Sequence, residues 1–170
     1  MSSVDLFPTK IYHAASGFDC QKLLNSIGDI LTSSYAKVQN NNQMSMRGNG
    51  LCTYNAYRTL HNHDEFKLLV SLIETHANRY WRALDYVSSQ KPKVYEMWSN
   101  VYKKDSFIEM HSHSPVTLTA SFYLQQPVNG GNLAFEHPML QLMKHQPYDP
   151  ALIRYHSETW EYSVPVKLAI

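Results

Sequence analysis

Apolar residues change their repeat along this chain, and the change divides it into a front half that reads as mixed and a back half that reads as strands. Between Asp19 and Val38, Leu23, Leu24, Ile27, Ile30 and Leu31 recur at steps of three and four, the spacing of one helical face. A second helix is predicted from Asp64, a capping residue type, through Phe66, Leu69, Val70, Ile73, Ala77, Tyr80, Trp81 and Leu84, which trace one wide apolar face suited to packing across a sheet. Before the first helix, Leu6 to His13 alternates behind Pro8 and reads as an edge strand. Between the helices, Asn40-Asn41-Asn42-Gln43 and Gly48-Asn49-Gly50 hold no period, so a long loop with a short strand at Leu51 to Tyr54 is expected.

From Lys93 the period becomes two. Val94, Glu96, Trp98, Asn100 and Tyr102 fall on one face and Tyr95, Met97, Ser99 and Val101 on the other; neither is purely polar, which predicts a central strand. Val116, Leu118, Ala120, Phe122 and Leu124 alternate with Thr117, Thr119, Ser121 and Tyr123, giving a second strand with a hydroxyl-lined face. Gly130-Gly131 marks a turn, Leu133 to Glu136 a short strand, and Thr159 to Val166 another. Helices first and short strands afterwards give an α+β, mainly β, fold: an antiparallel sandwich or jelly roll backed by N-terminal helices.

Length and composition narrow this to one domain over 1–170, since 170 residues suffice for one sizeable core but not for two. Hydrophobic residues at 44% and charged residues at 17% exclude a disordered chain, and a net charge of +1 offers no bulk attraction to nucleic acid or anionic lipid. No apolar run approaches a membrane span, and Met1-Ser2-Ser3-Val4-Asp5 lacks a basic, then apolar, leader, so a soluble cytoplasmic protein is expected. Cys20 and Cys52 lack C-x-x-C spacing and read as free thiols.

Candidate chemistry sits between the two alternating segments, at Glu109-Met110-His111-Ser112-His113-Ser114. In extended backbone, residues two apart share a face, so His111 and His113 can converge on one metal ion. Neutral imidazole suits iron, zinc, copper or nickel alike. Nine histidines in the chain make such a pair common by chance, so its spacing alone favours a structural or surface pair. The hydroxyl-lined face shares the parity of the two imidazoles, and it shares their cavity if that parity carries through Pro115.

The order of motifs adds to this reading: Trp98-Ser99-Asn100, then His111-Ser112-His113, then Ser121-Phe122-Tyr123, Pro127, and Gly130-Gly131-Asn132-Leu133-Ala134-Phe135 up to Pro138. Together with the opening Leu6-Phe7-Pro8-Thr9, it resembles a family of 2-oxoglutarate- and Fe(II)-dependent oxygenases, related to prolyl hydroxylases and common in marine bacteria, cyanobacteria and their phages. The resemblance implies a double-stranded β-helix and a dioxygenase (hydroxylase) acting on a small-molecule or peptide substrate. It also implies Fe(II) held by His111 and His113, and 2-oxoglutarate lined by Asn100, Ser121 and Tyr123. The commonest version of such sites uses H-x-D; His113 makes both first ligands neutral here.

Family members continue with an F-P-S-x-x-x-H strand and an arginine clamp, neither of which has a counterpart in this sequence, so relative to the family the last strands are expected to be lacking. His156 is the candidate third ligand, with His137, His145 and a clamp role for Arg154 beside it; the bland reading of each is a solvated surface group. The alternatives are a catalytically inactive phage virion or assembly protein that keeps the jelly roll and forms homo-oligomers or virion contacts, and a cupin-like metal protein that does not use 2-oxoglutarate.

Overall fold

The computed structural model describes residues 9–32, 46–48, 50–54, 57–86, 89–136 and 161–164. Helix α1 spans Gln21–Thr32. It begins where Asp19 Oδ1 accepts the Gln21 N–H at 3.0 Å, satisfying one of the first-turn amides that no carbonyl reaches. Leu23 and Ile27, one turn apart, are its buried residues, with Leu23 only 1% exposed. The expected continuation to Val38 lies outside the described residues.

Helix α2 spans Lys67–Ala83 and is preceded by two single-turn 3-10 segments, Leu60–Asn62 and Asp64–Phe66. Asp64 does not cap α2 as expected. It lies inside the 3-10 turn, where its carboxylate meets Lys67 Nζ at 2.5 Å. The far end of α2 closes without glycine. Asp85, at φ 59°, takes the left-handed position; its N–H bonds Arg82 O at 3.0 Å, and Tyr86 N–H bonds Trp81 O at 3.3 Å. This is the paired Schellman closure, and its usual apolar contact is present as Trp81 stacked on Tyr86 at 4.1 Å between centroids.

The core forms where these helices meet. Leu23, Ile27, Leu60, Phe66 and Leu69 are buried together, with Phe18, Tyr57, Ile73, Met97, Phe122 and Leu124 packed around them. Phe18 and Phe122 meet edge to face at 5.8 Å. Residues 9–13, expected as a strand, form none. Lys10 Nζ donates to Ala83 O and Tyr80 Oη donates to Lys10 O, each at 2.5 Å, while Tyr12 Oη and His76 Nδ1 lie 2.9 Å apart. The segment is a clasp on the C-terminal half of α2, with a lysine on its last carbonyls.

The strands are short and pair locally. β1 (Met46–Arg47) runs antiparallel to β4 (Phe107–Ile108), and β2 (Leu51–Cys52) to β3 (Asn100–Val101). The registers are Arg47 opposite Phe107 and Leu51 opposite Val101, so one interrupted ribbon joins 46–52 to 100–108, with two more residues on the second side of the gap. The Lys103–Ser106 turn takes up those residues through a 3.0 Å Ser106 N–H to Lys103 O bond, with Asp105 at φ 63°. Gly48 crosses this turn at φ 78°; a Cβ there would lie 2.8 Å from Asp105 O and 3.0 Å from Ser106 Cα. Only glycine fits that crossing.

β5 (Leu133–Glu136) pairs antiparallel with β6 (Glu161–Val164), Leu133 opposite Val164, within the two stretches expected as strands. The longer central strand from Lys93 is not continuous. The Glu74 carboxylate takes the Val94 N–H at 3.2 Å and Lys93 Nζ at 2.7 Å, which draws that end onto α2, and Tyr95 is exposed. Val116 to Leu124 forms no ladder among the described residues. A jelly roll has about eight strands in two sheets; the described residues contribute six, as three two-stranded ladders. Among the described residues no helix is long and apolar enough to cross a membrane.

Candidate functional site

The segment that carries Trp98 is fixed through the backbone of its neighbours. Met97 N–H bonds Arg58 O at 2.9 Å and Met97 O accepts Leu60 N–H at 3.2 Å, while Thr53 N–H bonds Ser99 O at 2.9 Å. Thr53 is buried, and its Oγ1 accepts the Ser99 N–H at 3.0 Å. Held on both sides, the Trp98 ring lies edge to face with Tyr54 at 5.0 Å and tilted against His113 at 5.6 Å. Arg58 caps the far side of Tyr54 with its Cζ 5.0 Å from the ring centre and reaches Glu96 at 3.4 Å.

His111 and His113 converge as their spacing predicts. Their Nε2 atoms lie 3.1 Å apart. The partner of His111 Nδ1 is the Glu109 carbonyl at 2.7 Å, and a carbonyl only accepts, so Nδ1 of His111 carries the proton. With its proton on Nδ1 alone, His111 presents an Nε2 lone pair toward His113, and the donor across the pair is then His113 Nε2–H. Burial, and secondarily the neighbouring His111, lower the pKa of His113 and favour its neutral form.

Two nitrogens each about 2.1 Å from one ion and at right angles to it lie about 3 Å apart. A shared proton and a shared ion thus call for nearly the same separation, and the 3.1 Å between the two Nε2 atoms matches that of two cis positions of one metal. A hydrogen bond from Nδ1–H to a carbonyl is a usual means of aiming a ligating imidazole. Among the described residues no group of three or more His, Cys, Asp or Glu side chains is placed to hold a metal ion. His156, His137, His145 and Arg154 lie outside the described residues.

One residue before Met110, Glu109 is gripped by Arg47: Nε to Oε1 at 2.7 Å and Nη2 to Oε2 at 2.9 Å. The planar two-point pairing fixes direction as well as distance. It joins β1 to the residue that follows β4, two residues before His111.

Of the other expected residues, Asn100 and Tyr123 are brought to a common neighbour, Tyr102, and Ser121 is exposed. The Asn100 side chain lies near enough to the Tyr102 phenol to lower its pKa, and Asn100 Oδ1 is buried with no hydrogen-bond partner among the described residues. Burial raises the Tyr123 hydroxyl pKa. Thr117 and Thr119 are exposed, so the expected hydroxyl-lined cavity shared with the imidazoles is not built by them. The alternation serves the core instead, through Phe122 and Leu124. Trp98, which its size suits to core packing, stands against a candidate ligand. Sequence reasoning also missed Tyr54, Tyr102 and the Arg47–Glu109 fork; only Tyr102 carried a signal, its parity with Asn100.

Comparison of the chain with protein-family models, curated proteins and solved structures finds no match.

Proposed function

We propose that this chain is a 2-oxoglutarate- and Fe(II)-dependent dioxygenase hydroxylating a small-molecule or peptide substrate, with His111, His113 and His156 as metal ligands. The observation that carries the reading is the convergence of two Nε2 atoms at 3.1 Å, one of them aimed by a carbonyl. The order of tryptophan-asparagine, histidine pair, serine-tyrosine and glycine pair around it supports the choice of family. Bound there with 2-oxoglutarate and O2, Fe(II) would couple oxidative decarboxylation of the cosubstrate to succinate and CO2 with hydroxylation of the substrate, one atom of O2 going to succinate and the other to the product. Asn100, Ser121 and Tyr123 are the residues proposed to line the 2-oxoglutarate site, where an amide and two hydroxyls offer donors to its carboxylates. A double-stranded β-helix and a cytoplasmic setting, which keeps iron and thiols reduced, belong to the same proposal.

Anaerobic Fe(II) titration with and without 2-oxoglutarate tests it. A visible charge-transfer band of the chelate that requires His111 is expected; no bound iron and no band would overturn it. A second reading, a non-catalytic phage virion or assembly component, draws on exposed apolar side chains around the pair. Phe107, Met110 and Val116 all face solvent, and exposed apolar side chains that lie together mark protein contacts. Under that reading the metal test is negative and the chain assembles into larger particles.

A further inference from the structure

The geometry points to Arg47 as a positioning residue for the histidine pair: by gripping the Glu109 carboxylate it holds the Glu109 carbonyl on His111 Nδ1–H and so aims the His111 Nε2 lone pair at His113. Each link is present. Both guanidinium contacts are under 3 Å, the carbonyl contact is 2.7 Å, and the two Nε2 atoms are 3.1 Å apart. Arg47 reaches Glu109 because β1 pairs with β4 at Arg47 opposite Phe107, and β1 pairs there because Gly48 can cross the 103–106 turn.

The fork adds little to overall stability. Both side chains are about half exposed, and exposed ion pairs contribute roughly 0–1 kcal/mol. Its effect is on direction. Free imidazole favours the proton on Nε2, the tautomer that would turn a donor rather than a lone pair toward the ligand position. A carbonyl held at Nδ1 selects the other tautomer and raises the basicity of Nε2. In the metal-free protein this fixes which ring donates across the pair, and it predisposes His111 to ligate an incoming ion first.

The consequence for metal affinity rests on the dioxygenase reading, whereas the tautomer does not, so the test has two arms on the full chain. Long-range 1H–15N correlation of histidine-labelled, metal-free protein at mildly alkaline pH reads the tautomer directly. Wild type is expected to show His111 protonated at Nδ1. R47Q and E109Q are expected to shift it toward Nε2–H, and the exchanged pair R47E/E109R to restore it. Co(II) titration of the same proteins is expected to show affinity about 10- to 100-fold weaker in R47Q, recovered in the exchanged pair. An unchanged tautomer in a folded R47Q, or an Nε2–H His111 in wild type, would overturn the positioning role. Wild type that shows the Nδ1–H tautomer but binds no Co(II) sustains the positioning role and overturns the metal reading instead.

Discussion

Trp98 and His113 lie with ring centres 5.6 Å apart and planes tilted by 36°. An indole at that distance reports directly on whatever occupies the imidazole's outer nitrogen. The chain has three tryptophans, and only Trp98 has a ring contact to the pair among the described residues. Adding Co(II) or Ni(II) to the wild-type protein is expected to quench part of its tryptophan emission, and Trp98→Phe to remove that quenching while leaving the rest of the emission in place. Equal quenching in the variant would show that the ion binds elsewhere.

Helix α2 ends on a left-handed aspartate, Asp85 at φ 59°. An L side chain in that region is unfavourable relative to glycine, although less so for aspartate than for most residues. Asp85→Gly is expected to stabilise the fold by about 0.5–1 kcal/mol, read from urea unfolding, because the Schellman bonds and the Trp81–Tyr86 stack remain while the backbone strain goes. Asp85→Val should destabilise it.

Tyr102 keeps 48% of its surface exposed, yet its hydroxyl is the desolvated end: burial, then the nearby Tyr123 and Cys52, push its pKa up to about 12, against a smaller opposite effect of the Asn100 side chain. In the unfolded chain the same phenol ionises near pH 10. Because the folded value is the higher one, the native state holds the proton longer, so this contribution to stability is full below pH 10 and is lost as pH rises toward 12. Absorbance titration is expected to show one tyrosine ionising near pH 12 that is missing in Tyr102→Phe. Loss of stability between pH 10 and 12 should be shallower in that variant.

Gly48 carries the ribbon across the 103–106 turn. Gly48→Ala puts a methyl group 2.8 Å from a backbone oxygen at a backbone angle L residues avoid, and a cost of about 1–3 kcal/mol is expected by thermal unfolding. The same variant should loosen Arg47 from Glu109 and broaden the His111 resonances.

Much of the core was legible because helical periodicity marks it directly. Leu23 and Ile27 on α1, and Phe66 and Leu69 beside and on α2, were named by three- and four-residue spacing and are buried together. The histidine pair was legible from a spacing of two. The strands were less so, because alternation records which side of an extended segment is apolar, not whether its backbone is paired. Glu74 took the amide at Val94, and Phe122 and Leu124 went into the core without a ladder partner. The aromatic and ionic support of the pair was least legible, since Arg47 and Glu109 stand 62 residues apart and Tyr54 meets Trp98 across the ribbon. No local pattern announces contacts set by register. The double-stranded β-helix, the cosubstrate and His156 stand as proposals.

Core and chemistry are carried by different stretches of chain. The buried cluster draws on residues 18–73 with single side chains from 97, 122 and 124, whereas His111 and His113 occupy an irregular stretch near the surface, attached through a short ladder and one tilted ring contact. Substitution of His111 or His113 therefore removes little buried area and should leave the scaffold folded. Such a partition makes this stretch the easiest part of the molecule for selection to rewrite: what the two imidazoles present can drift there while the helices that form the core remain under the constraint of packing.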